Sequence, residues 1–354
     1  MRKWRSSIAL LAAFTLVAAA CGDDEEDPKS ETSGSTDDSG SSEDALKIGL
    51  VYDIGGRGDK SFNDAAAAGF DKAVDEFGVE ATELEPDEGG ENREELLRQL
   101  AEDQDLVIAV GFAFDESVGK ASTDFPDAKF AQVDGGVDAA NVAELGFAEH
   151  EGSFLVGAAA ALKSQTGKVG FIGGVEIELI QKFEAGYVAG AKYINPDIEV
   201  EVQYISPAGD FSGFGAPDKA KTIAEAMYEG GADVVYHAAG GSGSGLFEAA
   251  AATGREGEVW AIGVDSDQYL TAPADQQPYI LTSMLKRVDV AVYETIKALS
   301  EGTFEAGFQT FDLSVDGVGY SSSNDAISDI SSQLDEIATK IASGEIEVPT
   351  VPEG

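Results

Sequence analysis

Short apolar runs alternate with longer stretches of helical period along most of this chain. Leu46–Tyr52 reads as a strand, and a Gly-rich loop follows from Gly55 to Lys60. Ser61 stands where a helix N-cap belongs. The helix it opens repeats apolar side chains at Ala66, Phe70, Ala73 and Phe77, near the 3.6-residue period. Ala81–Leu84 predicts a second strand, Asn92–Asp103 a charged helix, and Leu106–Val110 a strand that is apolar throughout. Further strands are expected at 129–133, 142–147, 168–172, 199–205, 234–238, 259–264 and 280–284. Ala-rich helices at 152–163, 181–194 and 218–229 lie between them, and a last helix at 322–343 precedes a tail, 348–354. Strands alternating with helices of this length build βαβ units and parallel sheets. Continuous apolar strands suit sheets covered by helices on both faces. The expected class is α/β.

Length divides that pattern. The roughly 310 residues from Leu46 onward exceed the roughly 250–300 at which single cores stop growing, so two Rossmann-like lobes joined by a hinge are expected. The first spans 46–150 and is completed by about 265–320; the second spans 151–264 and is completed by about 321–347. The crossing falls near His150, and the return after about Val264.

The first 45 residues read differently. Arg2, Lys3 and Arg5 precede an apolar stretch, Ile8 to Ala20, broken only by Thr15. It is shorter than the roughly 20 residues that a permanent span needs, and it fits the apolar region of a secretory signal. Ala18-Ala19-Ala20 lead into Cys21, the single cysteine, and the segment resembles a bacterial lipobox with Ala18 where Leu is usual. That resemblance implies a signal over 1–21, a lipid on Cys21 and attachment to the outer face of the cell membrane. Residues 22–45, nearly all Gly, Ser, Thr, Asp and Glu, cannot bury enough apolar surface to order themselves and are expected to form a tether. One cysteine leaves no disulfide partner. The net charge of −43 argues against nucleic acid, whose binding draws on Lys and Arg.

In open α/β sheets, ligands bind beyond the carboxyl ends of the strands. Four polar or Gly-rich segments occupy such places: Gly55–Asn63, Gly111–Glu116, Tyr236–Gly245 and Gly263–Gln268, with Lys286 and Arg287 ending a neighbouring strand. Aromatic faces beside carboxylates and an amide suit a neutral ring that carries hydroxyl groups. Phe183 is expected to pack its helix on the sheet, and His237 to be a packed core histidine. Enzyme readings find little support. Gly241-Ser-Gly-Ser-Gly245 lacks the G-x-G-x-x-G spacing, and no G-x-S-x-G elbow is formed. Two histidines leave no material for most zinc sites or triads, and no cofactor is expected.

The segments Asp59–Asn63, Phe183–Tyr187, Gly231–Val234, Ala239–Gly241 and Gly263–Gln268, in this order, resemble the basic membrane protein family, also called purine nucleoside receptor A-like lipoproteins. The resemblance implies a type I periplasmic-binding-protein fold and, as function, an extracytoplasmic monomer that hands a nucleoside, of purine type, to an ABC permease. By position it implies that Phe62 stacks on the base, with Tyr236 as a second stacking aromatic. It assigns Asp59 and Asn63 to the base edge, Asp115 and Asp265 to ribose hydroxyls and Lys286 to the sugar. Gly240 and Gly241 would admit the ligand close to the backbone. Binding of a sugar or other small polar ligand, ligand sensing, and nucleoside hydrolysis remain the alternative readings.

Overall fold

In the computed structural model, which describes residues 45–87 and 89–353, the apolar runs become two six-stranded sheets, each flanked by helices. Cys21, the signal over 1–21 and the tether up to Asp44 lie outside the described residues.

The first lobe opens with β1 (Lys47–Val51), α1 (Phe62–Phe77), β2 (Glu80–Leu84), α2 (Arg93–Ala101), β3 (Leu106–Val110), α3 (Asp115–Asp124), β4 (Lys129–Val133) and β5 (Val142–Phe147). All five residues of β3 are buried, as a central strand covered on both faces requires. The chain then crosses at Ala148 into the second lobe. There it forms α4 (Glu149–Lys163), β6 (Lys168–Val175), α5 (Glu178–Ile194), β7 (Glu199–Ser206), α6 (Pro217–Glu229), β8 (Val234–Ala238) and α7 (Gly243–Ala252). β9 (Trp260–Asp265), the short α8 (Gln268–Thr271) and β10 (Ile280–Lys286) follow in the same lobe.

The return comes at Arg287, not after Val264, because both β9 and β10 join the second sheet. α9 (Val288–Ser300) packs on α1, and β11 (Gly307–Phe311) pairs with β5 to finish the first sheet. A third crossing over 312–317 leads to β12 (Val318–Tyr320), which pairs antiparallel with β10, and to α10 (Ser331–Ala342). The strand orders are β11-β5-β4-β3-β1-β2 and β12-β10-β9-β8-β6-β7, and every other pairing is parallel. The last helix starts later than the sequence pattern suggests. A 3₁₀ turn, Asp325–Ile327, precedes it, and Asn324 caps that turn by accepting from Ala326 N.

Glycine sets one helix spacing. A Cβ at Gly157 of α4 would lie 2.1 Å from the Tyr187 carbonyl oxygen of α5, and one at Gly186 would lie 2.1 Å from that of His150. The two helices are thus in backbone contact over the second sheet. Among the described residues, no helix is long and apolar enough to cross a membrane.

Candidate functional site

The carboxyl ends of β1, β3, β4, β8, β9 and β10 surround a cavity of about 340 Å³ between the lobes, a volume within the range of small-ligand sites. Asp59, Phe62, Asn63, Gly240, Gly241, Asp265 and Lys286 all line it.

The first-lobe wall is polar and tied down from within. Asp59 Oδ1 accepts from Ser61 N and Asp64 N, and Oδ2 accepts from the backbone and side-chain nitrogens of Asn63. A carboxylate offers about four acceptor positions, and here all four are used. Asp59 therefore caps α1, the role that the sequence pattern gives to Ser61, and has no acceptor left for a base edge. Burial nevertheless pushes its pKa up against these stabilising bonds. Asn63 Oδ1 accepts from Asp53 N at 2.9 Å, fastening the β1 loop to the start of α1. Ser61 turns its hydroxyl outward to Asp265 on the other lobe.

Three further expectations change on contact with the geometry. Tyr236 does not reach the cavity. It sits mid-strand in β8, fully buried, with its ring 5.2 Å from Tyr187 and 5.6 Å from Phe171, and its hydroxyl 3.2 Å from Ser153 Oγ. Tyr236 and Ala238, two residues apart, share the face of β8 that looks toward α4 and α5, but only Ala238, at the strand end, reaches the cavity. Asp115 is also elsewhere. A 3₁₀ turn, Phe112–Phe114, carries it past the cavity, where Oδ1 accepts from Gln132 Nε2 at 2.8 Å and Gly136 N at 3.2 Å. That turn points Phe112 inward instead. Phe183 lines the cavity from α5 instead of serving only as helix packing. His237 is buried as expected.

Apart from Asp265 and Lys286, the second-lobe wall is mainly apolar: Leu179, Ile180 and Phe183 of α5, with Phe211 and Phe214 from a 3₁₀ turn after β7. Phe112 and Phe211 meet across the lobes, ring centroids 5.6 Å apart, edge to face.

Where the walls converge lies a buried charge cluster. Lys286 Nζ is 2.6 Å from Asp134 Oδ2 and 3.2 Å from Glu149 Oε1. It also lies 5.2 Å from the Phe62 ring centroid and 5.6 Å from that of Phe183. Burial opposes its charge, but Asp134, Glu149 and Asp265 outweigh burial and raise its pKa. The carboxyl of Asp265 is pushed up to about 7 by burial, against the pull of Lys286 and the Ser61 hydroxyl. Asp134, directly after β4, and Asp265, the last residue of β9, both take a left-handed backbone, with φ of 61° and 64°. Asp134 Oδ1 is buried with no hydrogen-bond partner among the described residues. Asp53, Asp134, Phe112, Phe211 and Phe214 line the cavity without having been singled out in the sequence. For Asp53 and Asp134 the signal is there, a carboxylate directly after an apolar strand, as for Asp265. Among the described residues, no cluster of His, Cys, Asp and Glu has the arrangement of a metal site.

Comparison with known proteins places this geometry. A family model described as ABC transporter substrate-binding protein PnrA-like matches residues 45–351. The chain is 36% identical over 373 residues to the CD4+ T-cell-stimulating antigen of Listeria innocua, covering 99% of each chain. It is 35% identical over 320 residues to the ABC transporter nucleoside-binding protein BmpA of Lactococcus lactis, covering 86% of this chain and 89% of that one. Among solved structures it resembles an ABC transporter solute-binding protein of Aeropyrum pernix, with a TM-score of 0.76 and 31% identity over 87% of this chain and 94% of that one. The two-lobed architecture is that of the type I periplasmic solute-binding proteins.

Proposed function

We propose that this chain, which belongs to the PnrA-like family of ABC transporter substrate-binding proteins, captures a nucleoside, of purine type, between its lobes and presents it to a membrane permease. The observation that carries the reading is the meeting of two unlike surfaces at Lys286. Phe62 and Phe183, one from each lobe, offer ring faces, and stacking of a base on an aromatic face contributes about 1–3 kcal/mol. Beside them, Asp134 and Asp265 offer acceptors to the hydroxyls of a sugar, with Lys286 between. The name of the Lactococcus lactis relative supports the same ligand class.

Charge narrows the class. Asp53, Asp59, Asp134 and Asp265 all line the cavity, and a phosphate would meet them at close range. Nucleosides should enter and nucleotides should not. Asp265 and its neighbours act here as hydroxyl acceptors, without catalysis. The working protein is a monomer on the outer face of the cell membrane, held through Cys21, as the signal-like residues before it suggest.

A thermal-shift panel tests the ligand class. At about one hundred times its dissociation constant a ligand adds about 2.7 kcal/mol, enough to raise Tm by a couple of degrees or more. Inosine, guanosine or adenosine should shift the transition; their monophosphates and free ribose should not. A shift with pentoses or amino acids alone would replace the nucleoside reading, and release of free base on incubation would replace the binding reading with hydrolysis.

A further inference from the structure

Beside the cavity, two consecutive carbonyls of the first lobe are held by side chains of the second. Gln268 Nε2 donates to Lys60 O at 3.0 Å, and Ser266 Oγ donates to Ser61 O at 3.1 Å. Ser61 Oγ donates in return to Asp265. Lys60 has φ of 56°, a left-handed turn that aims its carbonyl at the other lobe.

The orientation of the Gln268 amide follows from its partners. Val264 N–H can only donate, and it reaches Oε1 at 2.9 Å. The amide nitrogen must therefore face Lys60 O. His237 Nε2 lies 3.0 Å from the same Oε1, so that nitrogen carries the proton. Burial pushes the His237 pKa down to about 4, which keeps the ring neutral, and its Nδ1 has no partner among the described residues. The imidazole is wedged in place: a Cβ on Gly243 would lie 1.9 Å from it, and Phe247 packs edge-on at 5.4 Å. The Gln268 backbone N–H donates to Ser283 Oγ, and the residue is buried. Two donors and a packed ring thus fix one amide so that its NH₂ spans the lobes.

We infer that Gln268 is a positioning residue for closure, a latch oriented by Val264 N–H and His237 that holds the lobes together at Lys60. Its neighbours explain how a ligand would engage it. Lys60 and Ser61 lie between Asp59 and Phe62, and Asp265 lies three residues before Gln268, so cavity-lining and lobe-closing residues alternate on both sides. This coupling to ligand rests on the binding reading above; the latch itself does not.

The test uses the full chain with Cys21→Ser and spin labels at Asp127→Cys and Glu256→Cys, exposed positions in the first and second lobes. Interlobe distances are measured by pulsed electron resonance without ligand, and guanosine and inosine dissociation by stopped flow. Gln268→Glu keeps the acceptor for Val264 and His237 but sets an oxygen against the Lys60 carbonyl. It should deplete the closed population and speed dissociation by about three- to tenfold, the range of one net hydrogen bond. Ser266→Ala should act in the same direction and less. Unchanged distances and rates in Gln268→Glu overturn the latch, as does a lowered Tm with neither altered, which marks a merely structural glutamine. If no nucleoside binds even the parent chain, the binding reading falls, and the ligand-free distances still decide the latch.

Discussion

The two walls of the cavity are built on opposite plans. On the first lobe, Asp59 and Asn63 spend their hydrogen-bonding capacity on one another, on α1 and on the β1 loop, so the polar wall is rigid before any ligand arrives. On the second lobe, Phe183, Phe211 and Phe214 are held by packing, and apolar contacts have no required direction. The difference implies a division of labour. The fixed wall orients, the apolar wall conforms, and the ions at Lys286 join them where both meet.

The largest effect should come from that junction. Lys286→Met leaves Asp134, Glu149 and Asp265 buried without their cation and should cost about 3–5 kcal/mol of stability, measured by urea melts. A loss confined to ligand affinity would show that the cluster belongs to one wall alone. Next, Phe62→Ala and Phe183→Ala should each weaken nucleoside binding by about 1–3 kcal/mol in calorimetry. If only Phe62→Ala does so, the second wall is packing and the comparison fails.

Asp265 gives a pH test of intermediate size. Its carboxyl titrates at about 7 in the folded chain, above its unfolded value, so between roughly pH 4 and 7 the folded state holds the extra proton. This carboxyl therefore makes stability fall as pH rises through that window. Affinity should move the other way, because only the carboxylate is a full acceptor: nucleoside binding should strengthen from pH 6 to 8. Asp265→Asn should flatten that profile; a parent profile that is flat already would remove Asp265 from ligand contact. The smallest effect belongs to Tyr236→Phe, which loses only the Ser153 contact. It should leave affinity unchanged and cost about 1 kcal/mol of stability at most.

The same contrast explains what could be read from the chain. Polar residues beyond apolar strands stand out, so Asp59, Asn63, Asp265 and Lys286 are legible as cavity-lining positions, and the strand-end rule extends to Asp53 and Asp134. Phe183 was not legible, because an aromatic at helical spacing looks the same whether it faces a core or a cavity. Tyr236 misleads for another reason: it shares a face of β8 with the cavity-lining Ala238 but lies two residues deeper, and depth along a strand leaves no mark on the local pattern. The alternation of strands and helices is plain, but nothing local in Ile280–Lys286 says which sheet it joins, so the sequence pattern puts the return crossing earlier than the fold does. β11 went unseen because its middle three residues are exposed and show no apolar face.

The triple crossing also makes one sheet depend on the far end of the chain. β5 emerges early, yet its outer edge stays unpaired until Gly307–Phe311 has been made, after the whole central stretch of the second lobe. An open strand edge is a template for pairing with other chains. A chain cut short before β11 therefore leaves that edge of the first sheet open, a ready nucleus for aggregation wherever the protein folds.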